Sequence, residues 1–373
     1  GKMEQQLMSA LMHDTATREN YDEDQSWEVR KAAATAIEAM LDNRRDDEVR
    51  LAKTFGQLLL SRLKDPVLGV GIHSVYTSLI KRLAVSGSSE LTEVVRDQLP
   101  TLLKSVEELM KSQSAKVRQT CFILLSSVAR SMPYSLTHCL PQLMQVASAS
   151  LDDAGASPQM KIDILVFIED ALSNHKPAVL FSSSLSLVQN VSACVRDASD
   201  KVSSKALIVA TPLLNLLETK QSWQEASPLT HAVSEIVSRA DRAEHVVHAA
   251  MRVAETLICS FPGETGVADL TETLLRCARG SNEDRGCTML EATKVGYGTS
   301  DTVEMVRLCF EITDMLLIFP SSPCCSVQKA YLDALVAICR VFGQCADSSS
   351  IHLPLLLPLL ENPELCDLTL HLL

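Results

Sequence analysis

Aromatic side chains are scarce in this chain, and so are the residues that usually bound β-strands. Only 4% of the 373 residues are Phe, Trp or Tyr, with 13 Gly and 14 Pro. Strands are enriched in β-branched and aromatic residues that alternate between turn residues, and few such runs occur. Leu, Ala, Glu, Lys and Gln, which favour helices, dominate instead. The composition therefore predicts an all-α fold.

Long hydrophobic runs and a recognisable signal peptide are also missing. The most apolar stretch that we identify, LPLLLPLL at residues 353–360, contains two prolines. A membrane-spanning helix needs about 20 apolar residues, so this stretch is too short. We expect a soluble protein with no membrane partner.

An excess of positive charge is absent, since the formal net charge is −12. Binding to nucleic acid relies on clustered Lys and Arg, so nucleic acid is excluded as the main partner. A basic protein surface would complement this charge. Plain solubility is the alternative explanation for the acidity, and charge alone favours it.

Cysteine is plentiful, with 12 residues, but no CxxC pair occurs. The cysteines are scattered along the expected helices, where a free thiol behaves as a small hydrophobic side chain. A chain of this length and apolar content does not need a disulfide framework. We expect a reducing compartment, the cytoplasm or the nucleus.

Internal repeats organise the sequence. A helix-capping residue followed five positions later by an aliphatic residue recurs at intervals of 40 to 47 residues. The proposed caps are Asp24, Asp65, Ser112, Ser157, Asp197, Asp241, Asn282, Ser322 and Asn362. The later units depart from the pattern, with Cys287 and Asp367 at the aliphatic position. Capping side chains accept hydrogen bonds from the free N–H groups of the first turn, so each cap predicts a helix start.

Two further marks support this register. The aliphatic positions, Val29, Val117 and Val202 among them, should begin a buried stripe, and a small residue should follow four positions later. The prolines at positions 100, 141, 228 and 354 should each open a helix, because Pro favours the first turn.

Helix pairs at this spacing are typical of HEAT and armadillo repeats. A single pair cannot bury both of its faces, so the units must stack into a solenoid. The sequence predicts an α-α superhelix of about eight to nine helix-pair repeats. We expect one continuous array over residues 1–373, and a segment of a longer solenoid.

Few residues suggest chemistry. His245 and His248 could share a helix face, but no further metal ligands lie at a recognisable spacing. GVGIHS at residues 69–74 lacks the Lys-Ser/Thr ending of a phosphate loop, and a helix start explains it better. No nucleophile–base or paired-carboxylate pattern occurs. We expect no catalytic, cofactor or metal site, and therefore no enzyme.

The segment at residues 21–31 is the candidate partner interface. Asp22 and Glu23 exceed what a helix cap needs, so they are either a partner contact or a solvated loop. Trp27 either packs against the preceding repeat or anchors a partner. The candidate interface residues are Tyr21, Asp22, Glu23, Trp27, Glu28 and Lys31. Arg30 and Arg118 should instead pair with acidic caps of neighbouring units and form a ladder between repeats.

Three strings carry a family resemblance. DEDQSWEVRKAAATAIEAM (residues 22–40), SAKVRQTCFILLSSVARSMPYSLTHCLPQLM (114–144) and MKIDILVFIEDALSNHKPAVLF (160–181) appear in a fixed order. They resemble a middle segment of the cullin-associated and neddylation-dissociated protein family, although the acidic run is shorter here. The resemblance covers about the first 180 residues and becomes a generic repeat pattern after residue 210.

The resemblance implies a specific role. That family consists of non-catalytic HEAT-repeat proteins that wrap cullin–RING ubiquitin ligase cores and promote exchange of substrate receptors. It implies a cullin–RING complex as the protein partner and a monomeric scaffold without cofactors. A HEAT-repeat adaptor of another system, a nuclear transport receptor or a phosphatase scaffold, is the alternative.

Overall fold

A computed structural model describes residues 2–12, 26–43, 47–63, 69–239 and 242–261, with the separate positions Gly266, Asp269, Leu270 and Thr273. Within these ranges the regular structure is helical and contains no strand. The prediction of an all-α fold is therefore confirmed. The chain divides into two compact units, Gly1–Val179 and Leu180–Leu373.

The helices follow the predicted pattern closely. Those of the first unit are α1 (Lys2–Leu11), α2 (Ser26–Asn43), α3 (Glu48–Arg62), α4 (Gly69–Ser86), α5 (Ser89–Leu109), α6 (Ala115–Ser131), α7 (Leu140–Asp152) and α8 (Pro158–Asn174). The short helix α9 (Pro177–Leu180) lies at the division between the units. A 3₁₀ turn (Phe181–Ser183) follows, then α10 (Ser184–Val195), α11 (Asp200–Lys220), α12 (Trp223–Ser238) and α13 (Glu244–Ser260). The GVGIHS segment is the first turn of α4, as expected.

Packing within the first unit follows chain order. Helices α2, α4, α6 and α8 contact one another in sequence and form one layer, while α3 packs on α5 in the other. The second unit repeats the arrangement, because α10 packs on α12 and α11 on α13. Apolar stripes fill the space between helices, with Phe122 and Phe167 fully buried at a ring-centroid distance of 5.9 Å. Neighbouring repeats therefore share their apolar faces.

Cap assignments are right at one tested position and wrong at two. Ser157 caps α8, where its Oγ accepts a hydrogen bond from the Met160 N–H at 3.2 Å. Ser114, rather than Ser112, caps α6. The same shift occurs at α11, whose N-cap is Ser199 rather than Asp197.

The two misassigned residues have a related role. Ser112 Oγ accepts the N–H of Ser114 at 3.2 Å, and Asp197 Oδ1 accepts the N–H of Ser199 at 2.9 Å. Short polar side chains bond readily to the backbone two residues on, so each orients the residue that begins its helix. The caps proposed at Asp24, Asp65, Asp241, Asn282, Ser322 and Asn362 lie outside the described residues.

Proline positions also need correction. Pro141 lies in the first turn of α7, as predicted. Pro100 and Pro228 instead lie inside α5 and α12, which begin at Ser89 and Trp223. The residues before these prolines extend the apolar face, and its burial outweighs the lost backbone hydrogen bond. Pro354 lies outside the described residues.

Burial of the predicted stripe is uneven. Val202 is fully buried, but Val29 is 46% exposed, which contradicts its assignment to the core. The prediction of a buried small residue four positions later is confirmed at Ala33, Cys121 and Ala206. Ser74 is exposed and departs from the rule. Val29 faces away from α1 and α4 because the buried side of α2 runs through Ala33, Ala34 and Ile37.

Cysteine behaves as a small hydrophobic residue in this fold. Cys121 and Cys194 are both buried, and burial raises the pKa of the Cys121 thiol to about 12. Thiolate is the reactive form, so this thiol is inert at neutral pH.

One stretch of the described residues matches a membrane span by length and composition. Pro177–Val195 has a mean hydropathy of 1.5, and half of it is buried inside the protein. Core helices of soluble proteins share these properties, so the stretch is weak evidence for a membrane segment.

The C-terminus of α11 offers a first test. Gln221 adopts φ 56° there, and the Ser222 N–H bonds to Leu217 O at 3.1 Å. This left-handed position favours glycine. We expect Gln221→Gly to raise the free energy of unfolding by about 0.5–1 kcal/mol. Urea denaturation measures this difference, and a destabilised variant would contradict it.

Candidate protein-binding surface

The predicted interface residues fall at the beginning of α2. Tyr21, Asp22 and Glu23 lie outside the described residues, and Trp27 is in the first turn of the helix. Glu28 and Lys31 are exposed on the surface of α2. The role of this group in binding therefore stays a prediction.

An open groove runs along the exposed side of α2. Its cavity volume is about 590 Å³. The lining residues are Glu28, Lys31, Ala32, Thr35, Ala36 and Ala39. They recur three or four positions apart and so share one face of the helix. Alanine side chains let another helix approach closely, and Glu28 and Lys31 supply one charge of each sign.

Hydrogen bonds join consecutive repeats in a ladder, and of the two arginines predicted to take part, Arg118 does so. Arg118 donates to Ser112 O at 2.8 Å, and its Nη2 lies 3.4 Å from Asp153 Oδ2 in the following repeat. The partner is thus an acid of the neighbouring unit, but it is the C-cap of α7 and not the predicted N-cap. Arg118 therefore links the segment before α6, through Ser112, to the following repeat, through Asp153.

Other rungs join residues that lie 36 to 44 positions apart along the chain. Ser74 Oγ donates to Glu38 Oε1 at 2.9 Å, and Gln119 Nε2 to Asp163 Oδ2 at 2.6 Å, over separations of 36 and 44 residues. In the second unit, Arg196 Nε bonds to Glu235 Oε2 at 2.8 Å across 39 residues. The separations of 44 and 39 residues are closer to the 40–47-residue spacing of HEAT and armadillo units than to a repeat of 34.

Asp170 accepts three hydrogen bonds from α6 in this ladder. Arg130 donates Nε to Asp170 Oδ1 at 3.1 Å and Nη2 to Oδ2 at 2.9 Å, a two-point contact between α6 and α8. Ser126 Oγ also donates to Oδ2, and the Asp170 side chain is only 10% exposed. Asp170 raises the pKa of Arg130, first through these hydrogen bonds and then through its charge. The contact fixes the position of the turn that follows α6.

Removing this carboxylate should destabilise the first unit. Asp170→Ala leaves the Ser126 hydroxyl and the Arg130 guanidinium without their acceptor. We expect a loss of about 2–3 kcal/mol in the free energy of unfolding, reduced from the buried-pair value because Arg130 is largely exposed. Chemical denaturation would measure it. Glu90→Ala, at the exposed Lys53–Glu90 pair, is the control and should cost about 0.5 kcal/mol or less. Equal losses in both variants would contradict the prediction.

Reactive chemistry finds little support in the described part of the chain. No group of three or more His, Cys, Asp or Glu lies close enough to hold a metal ion there, and His245 is exposed. Ser184 Oγ and Lys220 Nζ lie 3.0 Å apart, an arrangement that can activate a serine. Ser184, however, is fully buried and donates to Glu225 Oε2 at 2.6 Å.

Electrostatics assign this Ser–Lys–Glu cluster a structural role. Burial of Glu225 opposes its ionisation, but hydrogen bonds from Lys220 and Ser184 outweigh burial and lower the pKa of the Glu225 carboxyl. Lys220 Nζ donates to both Ser184 Oγ and Glu225 Oε1, so its role in the cluster is that of a hydrogen-bond donor. The cluster therefore joins the end of α11 to α10 and α12.

Comparison with known proteins identifies relatives. Residues 134–254 match the family model described as "CAND1-like, TPR repeats". Cullin-associated NEDD8-dissociated protein 1 of Drosophila melanogaster is 30% identical over 209 residues, which cover 52% of this chain and 17% of that protein. Cullin-associated NEDD8-dissociated protein 2 of Mus musculus is 30% identical over 210 residues, with the same coverage. The chain thus spans a small part of these relatives.

Solved structures show the same fold. A structure of Kap95p binding RanGDP superposes with a TM-score of 0.67 at 15% identity, over 98% of this chain and 44% of that one. The karyopherin Kap121p, bound to the extreme C-terminus of the phosphatase Cdc14p, gives 0.52 at 14% identity, over 100% and 41%. The fold is therefore the helix-pair repeat of HEAT and armadillo proteins. In sequence, the chain resembles a segment of the cullin-associated NEDD8-dissociated proteins, as predicted.

Proposed function

We propose that this chain is part of a non-catalytic scaffold that binds cullin–RING ubiquitin ligase cores and regulates their assembly and substrate-receptor exchange. The observation that carries the proposal is sequence similarity, over about half of the chain, to proteins named for their association with cullins. The helix-pair repeats supply the extended surface that such binding needs. A scaffold of this kind acts as a monomer in the cytoplasm or nucleus.

The proposed contact includes the interface at the beginning of α2. Tyr21, Asp22, Glu23 and Trp27 precede in the sequence the groove residues Glu28 and Lys31. The net charge of −12 favours a basic protein surface over nucleic acid or an anionic membrane. Alanines along the groove would accept a partner helix, and the charged pair would set its register.

Binding to a purified cullin–RING core tests the function. The chain is immobilised and the core is passed over it, for each cullin of the source organism. We expect at least one core to be retained. Failure with every core would remove the cullin hypothesis.

A charge-reversal variant tests the interface separately. Glu28→Lys with Lys31→Glu keeps the net charge but inverts its order along the groove. We expect this variant to bind the retained core about 10-fold more weakly, equivalent to about 1.4 kcal/mol. The matched control exchanges Lys53 and Glu90, an exposed pair between α3 and α5, and should bind as the parent does. A retained core with no difference between the two variants would exclude the groove but not the function.

A HEAT-repeat adaptor of another system is the second candidate. It is favoured only by the superposition on nuclear import receptors, whose low identity supports the fold alone. A transport receptor would bind its small GTPase in one nucleotide state, and a phosphatase scaffold would retain a catalytic subunit. Either result, with no cullin core retained, would select this alternative.

A further inference from the structure

Tyr134 has an unusual backbone for an aromatic residue. Its φ is 66°, in the left-handed region that large L side chains rarely adopt, and its side chain is 59% exposed. Its N–H donates to Asn174 O at 3.2 Å, and its carbonyl accepts the Thr137 hydroxyl at 2.6 Å. The conformation is therefore fixed by hydrogen bonds to the next repeat and within the turn. Glycine would adopt it without strain.

A helix end does not explain this strain. Gln221, the other non-glycine residue with positive φ among the described residues, directly follows α11 and closes that helix. Tyr134 lies beyond Met132, the C-cap of α6, and its amide bonds to a different helix. Nor does burial repay the strain, because most of the ring is in solvent. Strained residues of this kind cluster at functional sites.

The two turns around Tyr134 contain one lysine, Lys176, and no carboxylate of their own. The ring lies edge-on to the buried His175 at a centroid distance of 6.4 Å, so the α6–α7 turn touches the turn after α8. These two turns, residues 131–139 and 173–179, contain no Asp or Glu, although the chain has 46 acidic residues against 34 Lys and Arg. His138 and Lys176 are exposed on them. We call Tyr134, His138, Lys176 and the exposed Pro177 the turn patch.

We propose that the turn patch is a binding surface for an acidic segment of a partner protein. Lys176 pairs with carboxylates of that segment, and the Tyr134 ring packs against an aliphatic side chain between them. Exposed tyrosines are common anchors at protein interfaces, and complementary charge orients the partner. The strain in the Tyr134 backbone is the cost of presenting the ring outward. This surface uses residues other than those of the α2 groove and does not depend on the cullin hypothesis.

Fluorescence anisotropy with two labelled peptides tests the proposal. One peptide is rich in Glu and Leu, and the matched peptide carries Lys at every Glu position. We expect the chain to bind the acidic peptide at low salt and the basic peptide at least about 10-fold more weakly. Tyr134→Gly and Lys176→Glu should each weaken binding of the acidic peptide about 5- to 10-fold. Lys104→Glu, at an exposed residue of α5, is the control and should change binding less than 2-fold.

Thermal unfolding of Tyr134→Gly separates the proposal from a structural role. If the ring is held outward for a partner, glycine relieves the strain, and the unfolding midpoint should rise by about 2 °C. If the ring serves to cover His175, the midpoint should fall, and that result would overturn the proposal. Absence of acidic-peptide binding would overturn it as well. So would tighter binding of a single-stranded oligonucleotide than of the acidic peptide, since the partner would then be a nucleic acid.

Discussion

Gly56→Ala is expected to destabilise the first unit by about 3 kcal/mol, even though alanine favours helices. A Cβ atom at Gly56 would lie 2.7 Å from Gln98 Cδ, and closer still to both heteroatoms of that amide. Helix propensity alone would reward alanine by about 1 kcal/mol. A net loss of about 3 kcal/mol therefore requires a steric cost of about 4 kcal/mol. The loss of the buried hydrogen bonds of Gln98 accounts for a cost of that size.

Those contacts prevent Gln98 from moving aside. The side chain lies between α3, α4 and α5 and is 4% exposed. The Tyr76 hydroxyl donates to Gln98 Oε1 at 2.6 Å, and Nε2 donates to Ala52 O at 3.3 Å. Displacing the amide breaks both bonds and leaves buried polar groups unpaired, at about 1–3 kcal/mol each.

Chemical denaturation of a double-mutant cycle measures the effect. Gln98→Ala removes the obstructing amide, so Gly56→Ala should cost much less in that background than in the parent. Gly155→Ala is the control, because its Cβ would meet only the exposed Asp153 carboxylate at 3.3 Å. Additive losses in the cycle would show that the two side chains do not conflict.

Acidic pH should destabilise the protein through His73. The imidazole is 2% exposed on α4, and neither nitrogen has a hydrogen-bond partner in the described part of the chain. Burial lowers the pKa of His73 from 6.5 to about 4. His73 therefore binds a proton below pH 6.5 in the unfolded chain but only below about pH 4 in the folded chain. Stability falls with pH across that window, by about 3 kcal/mol in total, and is unaffected by this group below it.

Urea titrations from pH 7.5 to pH 4 test this dependence. His73→Met keeps a similar volume without a titrating group, so it should lose less stability than the parent as the pH falls. The gap between the two should grow steadily below pH 6.5. His245→Gln, at an exposed histidine, is the control and should follow the parent. Parallel curves for His73→Met and the parent would refute the assignment.

Local sequence signals predicted the helices well but placed some of their ends wrongly. The repeat pattern predicts a helix where α6 lies, because an apolar stripe of period 3.6 is a local property. Its cap was placed at Ser112 rather than Ser114, since both serines can accept a backbone N–H. The prediction that Pro100 opens a helix was wrong for a similar reason. Proline marks a first turn only where burial of an apolar face does not extend the helix to both sides of it.

Contacts between repeats could not be predicted from the same signals. Gln98 and His73 look like ordinary polar residues in the sequence, and only packing shows that one is satisfied and the other is not. Tyr134 gave no signal either, because its positive φ is imposed by Asn174, 40 residues away. Pairing of arginines with acids of neighbouring repeats was predicted. The contacts of Asp170 with Ser126 and Arg130 were not, because they depend on how α6 and α8 pack.

The ladder has a mechanical consequence. Within each unit its bonds join a repeat mainly to the next one, over separations such as 35 residues for Arg118–Asp153 and 44 for Gln119–Asp163. A pulling force applied to the ends of one unit would not unfold that unit in a single cooperative step. The force would unfold one helix pair after another, so the unit should lengthen in steps. It should shorten again as the pairs refold when the force is removed.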